Sequence, residues 1–253
     1  MFTIARLSLV ILAAAVILSS VAEAKTCSTL TVSGTYGFLV TGTNASALSA
    51  ASLGQVTATP GSPGTLAGTL TASAGGVITT FAVKGNYQIA ANCTGSATLF
   101  GHGTTTHYRL VAAANGAQVE IVNSDAGEIQ SGYALAQGSA TCTDAGVQGA
   151  FAFRNTGSVV GVGDIAFDGN LTFNGAGGAG GTEWGSEVGT IVSGVPLAGS
   201  YKINSDCTGT GRLTPMGGAA THFNFVVVNS GATVLAIETD TNTVVTGSLS
   251  LEL

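Results

Sequence analysis

From Gly34 onward the chain is built from short runs in which apolar and polar residues alternate, broken at intervals by Gly, Asn and Asp. A period of two is what a strand with one buried face produces, and no stretch here carries convincing helical periodicity. In the first half the pattern predicts strands over Gly34–Gly42, Leu53–Thr59, Thr65–Ser73, Val77–Val83, Gly85–Cys93, Thr106–Ala113, Ala117–Val122 and Ser131–Ala136. Asn115-Gly116 reads as a two-residue hairpin turn, and Asp168-Gly169 gives the same signal in the second half. Consecutive strands joined by tight turns favour an up-and-down meander. About eight of them suffice to close a small barrel, which removes exposed edges.

The pattern is written twice. Gly85–Gly95, GNYQIAANCTG, returns as Gly199–Gly209, GSYKINSDCTG, with six of eleven positions identical. Cys27, Tyr36 and Phe38 pair with Cys142, Phe151 and Phe153 at an offset of 115, as do His107-Tyr108 with His222-Phe223 and Asp125 with Asp240. A unit of this length is a small domain rather than a solenoid turn. The expected architecture is all-β: a tandem duplication of two small antiparallel up-and-down barrels, 25–139 and 140–253, behind a signal peptide over 1–24.

The leader is read from Arg6, fifteen uncharged residues from Leu7 to Val21, and Ala22-Glu23-Ala24. These are the charged, apolar and cleavage regions of an export signal, and the apolar run is short for a span of roughly 20 residues. An exported product is therefore expected, with no span left after cleavage behind Ala24. Export is oxidising, so the four cysteines should pair. Duplication selects Cys27–Cys93 and Cys142–Cys207 over the other connectivities. Each bridge closes a loop of about 66 residues, worth roughly 4 kcal/mol in the chain-entropy view.

Charge narrows the partners. Seven basic against thirteen acidic residues give a net of −6, which argues against nucleic acid and against anionic membrane surfaces. An outer-membrane barrel is disfavoured by the few aromatics and the short expected strands.

Alternation places Tyr36, Phe38, Tyr87 and Tyr108 inside the first barrel, and Phe151, Phe153, Tyr201, Phe223 and Phe225 inside the second. A barrel of eight strands either packs solid or holds one small ligand. The leading expectation is an exported non-catalytic protein binding a small apolar ligand between these aromatics, joined by Trp184 from a glycine-rich hairpin loop, Asn174–Gly185. The rival is a surface or matrix protein with solid barrels. A cyclase- or isomerase-like enzyme comes third, because alternation offers no clear polar group inside.

Other candidates are weaker. Gly175-Ala176-Gly177-Gly178-Ala179-Gly180 spells a dinucleotide motif without the strand and helix it needs, so no cofactor is expected. His107 and His222 face outward, with no acid two residues away, and read as exposed structural residues. Asp125 with Glu128 could suggest calcium, but the second copy has Thr243 for Glu128, so an Asx-type turn is preferred and no metal is expected. Glu183 and Glu187 are the carboxylate pair to try for glycoside hydrolysis.

GNYQIAANCTG and GSYKINSDCTG, followed by HFNFVVVNSGATVLAIETDTNTVVTGSL, resemble a group of exported bacterial proteins. That group repeats a Gly-x-Tyr…Cys-Thr-Gly strand pair and a later Thr-Asp…Val-Val-x-Gly strand pair. The resemblance implies strands and turns over nearly all of the chain beyond the leader, and no activity. By strand count alone the barrels are also similar to calycin-like and allene-oxide-cyclase-like barrels.

Overall fold

In the computed structural model, residues 26–139 and 141–252 are described; the expected leader and its cleavage point lie outside them. Two closed eight-stranded barrels follow one another. The first contains β1 (Gly34–Thr43), β2 (Ser49–Thr59), β3 (Gly64–Ala74), β4 (Val77–Ile89), β5 (Thr94–Gly101), β6 (Thr104–Ala113), β7 (Gln118–Asn123) and β8 (Ile129–Ala136). The second contains β9 (Gln148–Val159), β10 (Gly163–Asn174), β11 (Gly178–Glu187), β12 (Thr190–Ile203), β13 (Thr208–Pro215), β14 (Thr221–Val228), β15 (Thr233–Glu238) and β16 (Thr243–Leu251). Within each barrel every strand pairs antiparallel with its sequence neighbours, and β1–β8 and β9–β16 close the rings. Both disulfides join as expected, Cys27–Cys93 and Cys142–Cys207, with Cα atoms 4.9 and 4.6 Å apart.

Eight strands per barrel is the expected count, but two of the expected boundaries fail. The single strand β4 runs through Lys84-Gly85, where two strands were expected, and β5 was missed. Gly85 looked like punctuation. It is instead a close approach within the ladder, since a Cβ there would lie 2.0 Å from the Thr98 carbonyl oxygen. β5, TGSATLFG, is too rich in small residues to alternate visibly. In the second half Asp168-Gly169 is no turn. Both lie inside β10, and Gly169 leaves room for the Phe153 ring. The glycine-rich stretch is likewise no loop excursion, because from Gly178 it forms β11 in full register with β10. Asn115-Gly116 does form a turn, with Asn115 at φ 57° and Gly116 at φ 86°.

The strands are also longer than expected, up to 14 residues in β12, so length does not separate these barrels from membrane ones. In the first barrel Tyr36, Phe38, Tyr87 and Tyr108 point inward, while the outward positions of β4 carry Thr80, Lys84, Asn86 and Gln88, unlike a lipid-facing band. No helix among the described residues is long and apolar enough to cross a membrane.

Each barrel has a stoppered end and an open end. The segment before β1 runs across the bottom of the first barrel, burying Cys27 and Val32 in its core. The Tyr87 hydroxyl donates to the carbonyls of Thr29 (3.0 Å) and Val32, and the Tyr36 hydroxyl to Gly116 (2.7 Å). In the second barrel Val147 is buried in the same way, and the Tyr201 hydroxyl reaches the carbonyls of Asp144 and Val147 at 3.0 and 3.1 Å. The repeated Gly-x-Tyr…Cys-Thr-Gly is thus a fastening device. The tyrosine hydrogen-bonds the stopper, and six residues later the cysteine is bonded to it covalently from a turn with φ near +66°.

The barrels lie side by side. Leu39, Ala51 and Leu53 on the outside of β1 and β2 pack against Val226, Val228, Leu235, Ile237 and Val244 on the outside of β14–β16. This seam explains why β14 and β15 are apolar on both faces. Ser73 donates to the Thr243 carbonyl (2.6 Å) and Asn224 to the Thr71 hydroxyl (2.9 Å) across it. At the open ends the Asn242 amide donates to the Gly76 carbonyl, and at the stoppered ends the Ser230 amide donates to Gln137. Both mouths therefore open on one side of the molecule.

Candidate functional site

The aromatic interiors are filled. Tyr36, Phe38, Tyr87 and Tyr108 are buried in the first core, and Phe151, Phe153, Tyr201 and Phe225 in the second, with Phe223 packed against it. The space left among them is about 70 Å³ in the first barrel and 50 Å³ in the second, against roughly 300–1,000 Å³ for a ligand pocket. Three of the four inward tyrosine hydroxyls named above are already engaged by backbone carbonyls. Burial raises the pKa of Tyr36, Tyr87 and Tyr201, that of Tyr87 to about 12. Trp184 is not part of either interior. It sits on the outward face of β11, 42 % exposed, opposite Asp168.

Room exists instead at the mouth of the first barrel, a bowl of about 410 Å³. Its floor is apolar, from Leu70, Phe81, Val83 and Leu99, and the hydroxyl-bearing Tyr108 stands beside them. One wall is polar and acidic, from Asn123, Asp125, Glu128 and Gln130. Burial, then the charges of Asp125 and Glu128, push Tyr108 up to about 12, so it is a neutral hydroxyl facing two carboxylates.

The second mouth is smaller, about 120 Å³, and the duplication shows why. Ala50 and Ser52 of the first barrel stand where the second has Ile165 and Phe167, at the offset of 115 that also relates Phe38 to Phe153. The larger side chains line and narrow the second mouth. That cavity also contains Glu183 and Glu238. Glu238 is on the inward face of β15 with Val234 and Ala236 and is only 6 % exposed. Burial, then the nearby Asp240 charge, raises it to about 7, while Thr243 and His222 pull the other way. Burial also raises Glu183. The expectation that alternation offers no clear polar group inside a barrel is corrected by Glu238, which shares the inward face of β15. Glu187 is exposed near the β11–β12 turn and does not line that cavity with Glu183.

The outward histidines have acid partners after all, from another strand connection. His107 Nδ1 is 2.6 Å from Asp125 Oδ1 while its amide donates to Oδ2 at 2.9 Å, and His222 binds Asp240 identically at 2.8 and 2.7 Å. Burial disfavours the Asp125 carboxylate, but the His107 amide and ring outweigh it and hold the group below its usual value. The carboxylate clips the turn after β7 (β15 in the second copy) to the start of β6 (β14). An acid two residues away is too short-range a criterion to show this pairing, whereas the His-to-Asp separation of 18 repeats in both halves. The Asp125–Glu128 turn is held internally: Glu128 accepts from the Ala45 amide at 3.2 Å and from the Gln130 side chain. No group of three potential metal ligands forms among the described residues.

The chain matches no protein-family model, no curated protein and no solved structure.

Proposed function

We propose that the protein is an exported, non-catalytic double barrel that takes a small amphipathic molecule at the mouth of its first barrel. The single observation that carries this is the 410 Å³ bowl with an apolar floor and a wall of acceptors. It falls within the range of ligand pockets, whereas the filled interiors do not. The ligand chemistry follows from the lining: an apolar body over Leu70, Phe81 and Leu99, and hydroxyl or amine donors toward Asp125 and Glu128. The two disulfides support export, because such bridges persist in oxidising compartments.

The bowl replaces the aromatic interior as the place of binding. The rival reading, a solid scaffold at a surface or in a matrix, is supported by the residual 50 and 70 Å³ within the cores. Titration of ¹⁵N-labelled protein with 1,2-decanediol separates the two. Ligand binding predicts saturable amide shifts at Phe81, Leu99, Tyr108 and Asn123, with the stoppered end unmoved. A scaffold gives no saturable shift in the bowl.

A further inference from the structure

The second mouth differs from the first in chemistry as well as size. Glu183 stands on β11 and Glu238 on β15, four strands apart in a ring of eight, so the two carboxyl groups enter one cavity from opposite walls. The rest of the lining is mostly apolar, including Phe153, Phe167 and Phe223, with Asn155 and Thr221 as its neutral polar side chains. No lysine or arginine is among the described residues that line it.

A buried carboxylate without a positive partner is costly to desolvate, and the fold does not need these two. In the first barrel Leu70 pairs with Gly54 where Glu183 pairs with Gly169, and Asn123 is the counterpart of Glu238 at the offset of 115. The sister barrel therefore closes with neither acid. These acids are dispensable for closure and face a cavity; Glu238, 6 % exposed, has the Thr243 hydroxyl beside it and the exposed His222 at the rim, and no lysine or arginine among the described residues of the lining.

We propose that the mouth of the second barrel is a separate binding site for a small organic ammonium ion, held between Glu183 and Glu238. The cation supplies the missing charge, and the phenylalanine rings offer their negative faces to it. A cavity of about 120 Å³ limits the guest to a few heavy atoms, near four times the roughly 30 Å³ share of one liquid water. Around Glu238 the titratable groups are Glu183 across the cavity, Asp240 and His222 at the rim, with the Thr243 hydroxyl beside it. Its pKa, raised to about 7, makes occupancy pH-dependent, since only the carboxylate attracts the cation.

The probe is n-butylammonium, with n-butanol as its neutral match. Trp184, the only tryptophan, is next to Glu183 and reports locally through its indole N–H resonance. Butylammonium is expected to shift the Trp184 indole and the Glu183 and Glu238 amides saturably at pH 8. Binding should weaken at least tenfold at pH 5.5, and tenfold in Glu238→Gln. Glu183→Gln, at the less buried wall, is a second variant read in the same way. Butanol binding as tightly as butylammonium overturns the proposal. So does butylammonium moving only the first mouth, moving neither, or binding both variants as it binds the parent protein.

Discussion

Ser52 and Phe167 occupy the same position in the two barrels, and the difference between them sets how far each mouth is open. Phe167 is accommodated because Gly185 lies across the ladder from it: a Cβ there would come within 2.5 Å of the ring. Across from Ser52 the first barrel has Ala72.

Closing the first mouth thus takes two changes. Ser52→Phe alone meets the Ala72 methyl and should cost about 1–3 kcal/mol as overpacking. Adding Ala72→Gly copies the pair from the sister barrel and should recover most of that loss. Urea denaturation of the single and double variants measures the recovery. A double variant no more stable than the single one would show that the positions are not equivalent.

The stopper gives a second prediction. Tyr87→Phe keeps the ring but leaves the Thr29 and Val32 carbonyls without their donor. A loss of about 1–3 kcal/mol is expected, the cost of orphaning buried acceptors, with faster amide exchange across residues 27–33. Tyr201→Phe should do the same at 142–147. Unchanged exchange in either segment would mean that the disulfide alone holds it.

The seam between barrels rests on a missing side chain. A Cβ on Gly37 would lie 2.6 and 2.7 Å from methyl groups of Val228 and Val226. Gly37→Ala should therefore push the barrels apart at a cost of about 1–3 kcal/mol, with new solvent exposure at Leu39, Leu53, Leu235 and Ile237. Exchange at those positions is the readout. Protection equal to the parent would contradict the packing described.

Glu238 makes stability fall as pH rises. Its folded pKa of about 7 lies above the unfolded value of roughly 4.3, so between those values the native state holds a proton that the unfolded chain has released. The stabilisation is full below about pH 4 and is lost as pH climbs through 7, about 3–4 kcal/mol in all. Glu238→Gln should flatten that slope in this window and raise stability at pH 8. A slope unchanged by the substitution would remove Glu238 as its source.

Much of the fold could be read in advance because its causes are local. Inward Tyr36, Phe38 and Phe151 obey the period of two, and the duplicated cysteines specify their own pairing. The failures trace to small residues: β5, TGSATLFG, has too many to alternate visibly, and glycine elsewhere serves two purposes. Gly85 and Gly169 admit a carbonyl or a ring inside a strand, yet a sequence shows them as turns. The sites were less legible, for they depend on cross-barrel juxtaposition. Neither the opposed walls of Glu183 and Glu238 nor the bowl left by Ala50 and Ser52 follows from any one strand. The bowl becomes readable only when the two copies are aligned and their side-chain sizes compared.

The most direct test of a ligand at the first mouth is native mass spectrometry on protein produced from the full sequence in a host with an oxidising export compartment. The parent protein should carry an excess mass, released on gentle activation as an amphipathic compound, and the Ser52→Phe/Ala72→Gly protein should emerge without it. A parent protein that stays free of ligand after exposure to a mixture of hydroxylated amphiphiles would contradict the account, as would equal loading of the filled variant.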